Sequence, residues 1–251
     1  MIAFISDIHG NAEALSVVLD DIKAARIKDV LCLGDVIGYG PQPRECLRRV
    51  METCRLSLMG NHEHGAMYYA TDFNPKARAA IEWTKEQLNS RDFPREQNFE
   101  LWSYIGEMPE THAEDGMLLV HGSPRDPVKE YLLPKDAQDP KKMSECFARM
   151  AGGVCFVGHS HVPGVYVEDE GFLTPSVIDG EYRITGTKKV IVNIGSVGQP
   201  RDGDPRASYV IFDDGRVEFR RLVYDHARTM SKIRAITALP EFLADRLAVG
   251  R

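Results

Sequence analysis

The stretch "VCFVGHSHVPGV" (Val154–Val165) decides how the chain is read. Its first four residues are apolar and suit a short strand buried on both faces, as in the interior of an α/β sheet. The run ends on Gly158, and His159 and His161 follow one residue apart. Two imidazoles at the end of a buried strand sit where a core would hold valine. Taken alone they fit a surface position as well as a metal or catalytic site.

Working outward, the same kind of strand end, an apolar run closing on a glycine with an ionisable or amide side chain beside it, recurs upstream. "IAFIS" leads into Asp7 and His9, "VLCLG" into Asp35, "RLSLMG" into Asn61 and His62, and "GMLLVHG" carries His121. In open α/β sheets ligands bind at the carboxyl ends of the strands, so these segments converge on one cleft. Glycine there lets backbone approach closely and take up positive φ.

Amphipathic helices separate the strands. From about Asn11 to Ala25, residues Ala12, Leu15, Val18, Leu19 and Ile22 share one face, with Asn11 as N-cap. Further helices follow "PQP" and Asn74, where Pro75 suits the first helical position, and one between the last two buried strands carries Met143, Phe147 and Met150. After Pro163, short strands with Gly and Asp turns, including a hairpin at Asp213-Asp214-Gly215, predict a second, antiparallel sheet packed on the first. The tail from Asp225 returns to helix. The fold class is therefore α/β, a single domain over 1–251 with residues 66–114 as an insert that caps the cleft.

At 251 residues, 43% hydrophobic and 27% charged, the chain is large enough to bury a substantial core. Its net charge of -6, without a Lys/Arg run, excludes non-specific binding to nucleic acid or an anionic membrane. The five cysteines are odd in number, form no C-x-x-C and read as reduced thiols. No run approaches the roughly 18 apolar residues of a membrane span, and "MIAFIS" opens directly on a strand, so a cytoplasmic location is expected.

The donor set comprises Asp7, His9, Asp35, Asn61, His121, His159 and His161. Each alone has an ordinary reading, the aspartates as caps, Asn61 as a turn and His121 as a core histidine. Their joint recurrence at strand ends favours a site. Seven oxygen or imidazole donors exceed the needs of one metal and suit two that share a bridging carboxylate. The lack of thiolates points away from structural zinc; Mn, Fe, Co, Ni or Zn fit. His64, His112 and His226 lack the strand-end setting and read as surface residues.

D-x-H, G-D, G-N-H-[DE], H and G-H-x-H occur complete and in order from Asp7 to His161, a pattern that resembles the calcineurin-like metallophosphoesterases. "GDVIGYGP" and "NIGSVGQPRDG" are similar to segments of a small prokaryotic branch and extend the likeness to about Gly203. The resemblance implies a four-layer αββα sandwich of two mixed β-sheets flanked by helices. It also implies one metal held by Asp7, His9, Asp35 and His161, and another by Asp35, Asn61, His121 and His159, with Asp35 bridging. The expected activity is hydrolysis of a small phosphomonoester or phosphodiester, two cations clamping the phosphate and lowering the pKa of a water toward neutrality. His62, beside a ligand but not needed as one, is the candidate general acid.

In the protein phosphatases of this superfamily the pattern reads G-D-x-x-D-R-G, but here Gly38 and Tyr39 replace its later Asp and Arg. That weakens a protein phosphatase reading and leaves the carboxylate partner of His62 unassigned. Arg125 and Arg201, after turns at strand ends, are candidates for the missing phosphate contacts. Asn11 and Tyr39 join them as substrate-binding candidates, although packing is the favoured role for Tyr39 and Tyr131. The alternatives are a dinucleoside polyphosphate hydrolase of the Ap4A type and a metal-binding scaffold without catalysis.

Overall fold

A computed structural model describes residues 1–251. Its strands are β1 (Ile2–Ile5), β2 (Asp29–Cys32), β3 (Leu56–Ser57), β4 (Thr111–Glu114), β5 (Met117–Val120), β6 (Val154–Val157), β7 (Gly164–Val167), β8 (Gly171–Leu173), β9 (Glu181–Arg183), β10 (Val190–Asn193), β11 (Ala207–Asp213) and β12 (Arg216–Leu222). The helices are α1 (Ala12–Ala24), α2 (Pro43–Thr53), α3 (Asn61–Met67), α4 (Pro75–Leu88), α5 (Arg95–Glu107), α6 (Pro140–Ala148), α7 (His226–Arg234) and α8 (Phe242–Asp245).

The strands form two mixed six-stranded sheets, ordered β3-β2-β1-β11-β12-β9 and β4-β5-β6-β10-β7-β8. In the first, β1 pairs parallel with β2 and antiparallel with β11; in the second, β10 pairs parallel with β6 and antiparallel with β7. The expectation that the late strands form a sheet of their own is corrected. The early strands β4, β5 and β6 lie in the second sheet, and the late β9, β11 and β12 complete the first. Local pattern identifies a strand, but the sheet it joins depends on partners far along the chain.

Strand alternation explains the layers. Phe4 and Phe156 point between the sheets and stack with ring centroids 4.1 Å apart, within a core that also holds Leu31, Leu58, Val192 and Val210. Their neighbours Ala3 and Ile5 face α1, while Cys155 and Val157 face α6. The result is helices, sheet, sheet, helix, the αββα order. Asn11 caps α1 by accepting from the Ala14 N–H, and Asn74 caps α4 by accepting from the N–H groups of Lys76 and Ala77. Segment 66–114 supplies α4 and α5, and its last four residues are the edge strand β4. The C-terminal helices pack Ile233, Leu243 and Leu247 on Tyr39, Ala77 and Trp83. No helix is long and apolar enough to cross a membrane.

Candidate metal centre

The loops that leave β1, β2, β5 and β6 meet with the start of α3 at one end of the sandwich. They turn sharply, and Asp7, His9, Asp35, His159 and His161 all adopt positive φ, between 50° and 61°. Non-glycine residues in this region carry strain of about 1–3 kcal/mol each, which the surrounding packing must sustain. Such turns aim consecutive polar side chains inward, which extended backbone would send to opposite faces.

Asp7, His9, Asp35 and His161 place one ligand atom each within 4.8 Å of one another, and so do Asp35, His121 and His159. Asn61 joins the second group, its Oδ1 being 3.1 Å from His121 Nε2. Asp35 belongs to both. Its Oδ1 accepts from the His62 N–H at 2.8 Å, while Oδ2 lies 3.4 Å from His121 Nε2 and 3.6 Å from His9 Nε2. Asp7 is anchored likewise: Oδ2 accepts from the His159 N–H at 3.0 Å, and the buried Oδ1 lies 3.1 Å from His161 Nε2 without receiving a hydrogen bond.

The histidines are oriented from outside. His9 Nδ1 faces the Ile37 carbonyl at 3.1 Å, His121 Nδ1 that of Leu33 at 2.8 Å, His161 Nδ1 that of Gln199 at 2.5 Å, and His159 Nε2 that of Lys129 at 3.1 Å. Each outward nitrogen must carry a proton to donate to its carbonyl, so the inward nitrogen offers a lone pair. Those inward nitrogens oppose one another, His9 Nε2 to His161 Nε2 at 3.1 Å and His121 Nε2 to His159 Nδ1 at 3.1 Å. In neutral rings facing lone pairs repel unless a proton or a metal ion lies between them. With the unpartnered Asp7 oxygen, this donor set fits divalent metal.

Electrostatics agree. Burial holds His9 well below the usual imidazole range, His62 at about 4 and His159 at about 3, so these rings stay neutral near pH 7. At His121 burial also opposes charge, but Asp35 beside it prevails and pushes the ring up to about 9, so its inward nitrogen holds a proton that a bound metal would displace. For Asp35, burial is outweighed by His121 and its neighbours, which keep the carboxyl well below its usual range. Two buried carboxylates thus draw positive charge into the cluster.

His62 is 2% exposed, with Nε2 4.0 Å from Asp35 Oδ2 and Nδ1 unpartnered. The substrate-binding candidates fare unevenly. Arg201 lies at the site: its N–H donates to the His161 carbonyl, and its guanidinium sits 5.9 Å from the Tyr39 ring centre. Tyr39 packs against His9 and His62 with centroids 4.6 and 4.4 Å away. Two expectations are corrected. Asn11 is fully engaged, accepting from Ala14 and Thr229 and donating to the Gly198 carbonyl and the Tyr224 hydroxyl, so it is a buried brace without a free edge. Arg125 is held by Glu130 and Glu145 at 2.5 Å each, which occupy the guanidinium that was to grip phosphate.

Glu63 was missed. Fully buried, it accepts from the N–H groups of Asp35, Gly60 and Ile37, tying the Asp35 loop to the start of α3. Its position three residues after Gly60, as in a capping box, was the available signal. Burial and the nearby Asp35 charge push its carboxyl up to about 7 against these donors. His64, expected at the surface, is half-buried and lines a cleft of about 300 Å³ with Tyr39, Asn61, Lys129, Tyr131 and His159. Tyr131 stacks on His159 at 3.7 Å.

A metallophosphoesterase from Sphaerobacter thermophilus has a similar solved structure, 39% identical with a TM-score of 0.83, covering 100% of this chain and 98% of that one. An uncharacterized protein of Methanocaldococcus jannaschii is 37% identical over 260 residues, 100% of this chain and 98% of its own length. A symmetrical bis(5'-nucleosyl)-tetraphosphatase of Methylobacillus flagellatus is 34% identical over 120 residues, 47% of this chain and 41% of its own. The model of the calcineurin-like phosphoesterase superfamily domain matches residues 1–215, and the chain belongs to that family of phosphoester hydrolases.

Proposed function

We propose that the chain hydrolyses a small phosphomonoester or phosphodiester at a dinuclear metal centre. The observation that carries this reading is the pair of donor groups sharing Asp35, with inward imidazole nitrogens opposed in each group. Asp7, His9, Asp35 and His161 would hold one ion, and Asp35, Asn61, His121 and His159 the other. Bound there, two cations supply charge for the phosphoryl oxygens and lower the pKa of a water toward neutrality.

The chain's own residues do the rest. Arg201, without a carboxylate partner, orients the phosphate by charge and hydrogen bonding. Tyr39, 9% exposed, excludes water from the His9 and His62 side. His62 is neutral at rest because burial depresses it, and the negative charge of an arriving phosphate raises its proton affinity. The ring takes a proton from solvent as the phosphate arrives and gives it to the leaving oxygen, returning to the neutral form. Residues Tyr69, Asp72, Phe73 and Asn74 of segment 66–114 line the cleft beside His159, which supports a specificity role for that segment.

The test is metal content by mass spectrometry together with turnover of p-nitrophenyl phosphate, its bis ester and Ap4A under Mn2+. Two ions per chain and hydrolysis of at least one substrate are expected. One ion or none under metal-replete conditions overturns the dinuclear centre, and two ions with no turnover leave a scaffold. The local similarity to a tetraphosphatase favours including Ap4A. A protein phosphatase role has less support, since Gly38 and Tyr39 stand where that pattern has Asp and Arg.

A further inference from the structure

The carbonyls that hold the four histidine rings of the donor cluster from outside are of unequal standing. Those facing His9, His121 and His161 belong to the buried or nearly buried residues Ile37, Leu33 and Gln199. The one facing His159 Nε2 belongs to Lys129, on the loop that follows β5, whose side chain is 47% exposed. A carbonyl on a surface loop orients a ring only if the loop itself is held.

A clasp holds it. Arg125 meets Glu130 through Nη2 at 2.5 Å and Nε at 3.1 Å, and Glu145 on α6 through Nη1 at 2.5 Å. The Glu130 carboxylate also accepts from the hydroxyl of the buried Ser123. Next along the chain, the Tyr131 carbonyl accepts from Lys142 Nζ at 2.7 Å, and that of Leu132 from the hydroxyl of the buried Tyr166 at 2.9 Å. A lone surface ion pair contributes little, but a guanidinium that grips one carboxylate bidentately and a second through its remaining nitrogen has a defined geometry. The two neighbours of Glu130 are the residues that touch His159. Lys129 supplies the carbonyl, and Tyr131 lays its ring on the imidazole, with centroids 3.7 Å apart and planes 26° from parallel. One edge and one face of His159 are thus fixed by residues on either side of the clasped glutamate.

We infer that Arg125 and Tyr131 are positioning residues for His159, and through it for one ion of the pair, the one assigned to Asp35, Asn61, His121 and His159. This rests on the dinuclear reading and makes its two halves unequal. The half built on His9 and His161 leans on buried carbonyls alone, whereas retention of the other ion depends on a loop outside the donor set.

Mn2+ titration of the full chain after removal of metal by a chelator, with free Mn2+ counted by its EPR signal, tests the clasp. The wild type should take up two ions. Tyr131→Leu should weaken one of them about 10- to 100-fold, as for other residues that support ligands, and leave the other unchanged. Tyr131→Phe, which keeps the ring, should bind both as the wild type does, and Arg125→Gln should weaken the same ion as Tyr131→Leu. In a His159→Ala background Tyr131→Leu should add no further loss, since the ring it supports is gone. Thermal melts show which variants fold; should Tyr131→Leu not fold, Arg125→Gln gives the same comparison alone and in the His159→Ala background. Unchanged affinities, equal weakening of both ions, or a further loss in the His159→Ala background overturns the positioning role. A wild-type chain that takes up one ion or none defeats the dinuclear reading instead.

Discussion

At Gly38, φ is +89°, and a Cβ would come within 2.0 Å of His62 Nδ1. The position that holds an acid in the protein phosphatase pattern therefore has no room for any side chain while His62 keeps its place. The ring is set by packing instead, between Tyr39 at 4.4 Å, His9 at 4.7 Å and Phe73 at 5.2 Å. Gly38→Ala should displace His62 and add about 1–3 kcal/mol of backbone strain, read as a lowered denaturation midpoint with turnover largely lost and metal content retained. Unchanged turnover in that variant would mean that the ring position does not matter. His62→Asn isolates the chemistry. It should keep both ions and lose roughly 10²- to 10⁴-fold in rate on an alkyl phosphate, the usual worth of general acid catalysis. On p-nitrophenyl phosphate, whose leaving group needs little protonation, the loss should be smaller, and equal losses on both esters would argue against the acid role.

Among the elements, the loop after β2 and the start of α3 act as one unit because Glu63 joins them. Its carboxylate receives three backbone N–H groups, including that of Asp35. Glu63→Gln would turn an amide donor toward N–H donors, a loss of about 1–3 kcal/mol for unsatisfied buried groups. Since Asp35 is shared by both donor groups, metal affinity should also fall about 10- to 100-fold, as for other residues that support ligands. Metal titration of the variant checks this, and wild-type affinity would show that Asp35 does not need the tie. The candidate ligands were legible in sequence because each stands at the end of an apolar run with a glycine nearby, which is a local pattern. Glu63 was less legible because its partners are backbone groups 26 and 28 residues away. Arg125 was misread because its partners Glu130 and Glu145 lie five and 20 residues on, Glu130 in irregular chain where spacing fixes no contact and Glu145 on α6.

For the whole molecule, the sandwich is what brings the two halves of the donor cluster together. Strand β1 in the first sheet carries the Asp7 loop, β6 in the second carries His159 and His161, and Phe4 stacks on Phe156 between them. The αββα class was readable from alternating strands and helices, whereas the allocation of strands to sheets was not, because β1 pairs with β11 across most of the chain. Two kinds of stability should therefore separate experimentally. Truncating a buried aromatic costs about 3–5 kcal/mol, so Phe156→Ala should lower the unfolding temperature with or without metal. Metal that binds only the folded chain adds stability by mass action, about 2.7 kcal/mol at a hundredfold excess over its dissociation constant. Calorimetric melts of the wild type should accordingly rise on Mn2+ addition and fall back with a chelator. In Asp35→Ala, which removes a donor from both groups, most of that metal-dependent increment should vanish. In Phe156→Ala it should persist on a lower baseline, since the loops are still held by their own hydrogen bonds. A metal increment that survives in Asp35→Ala would place the stabilising ions elsewhere and sink the shared-carboxylate centre.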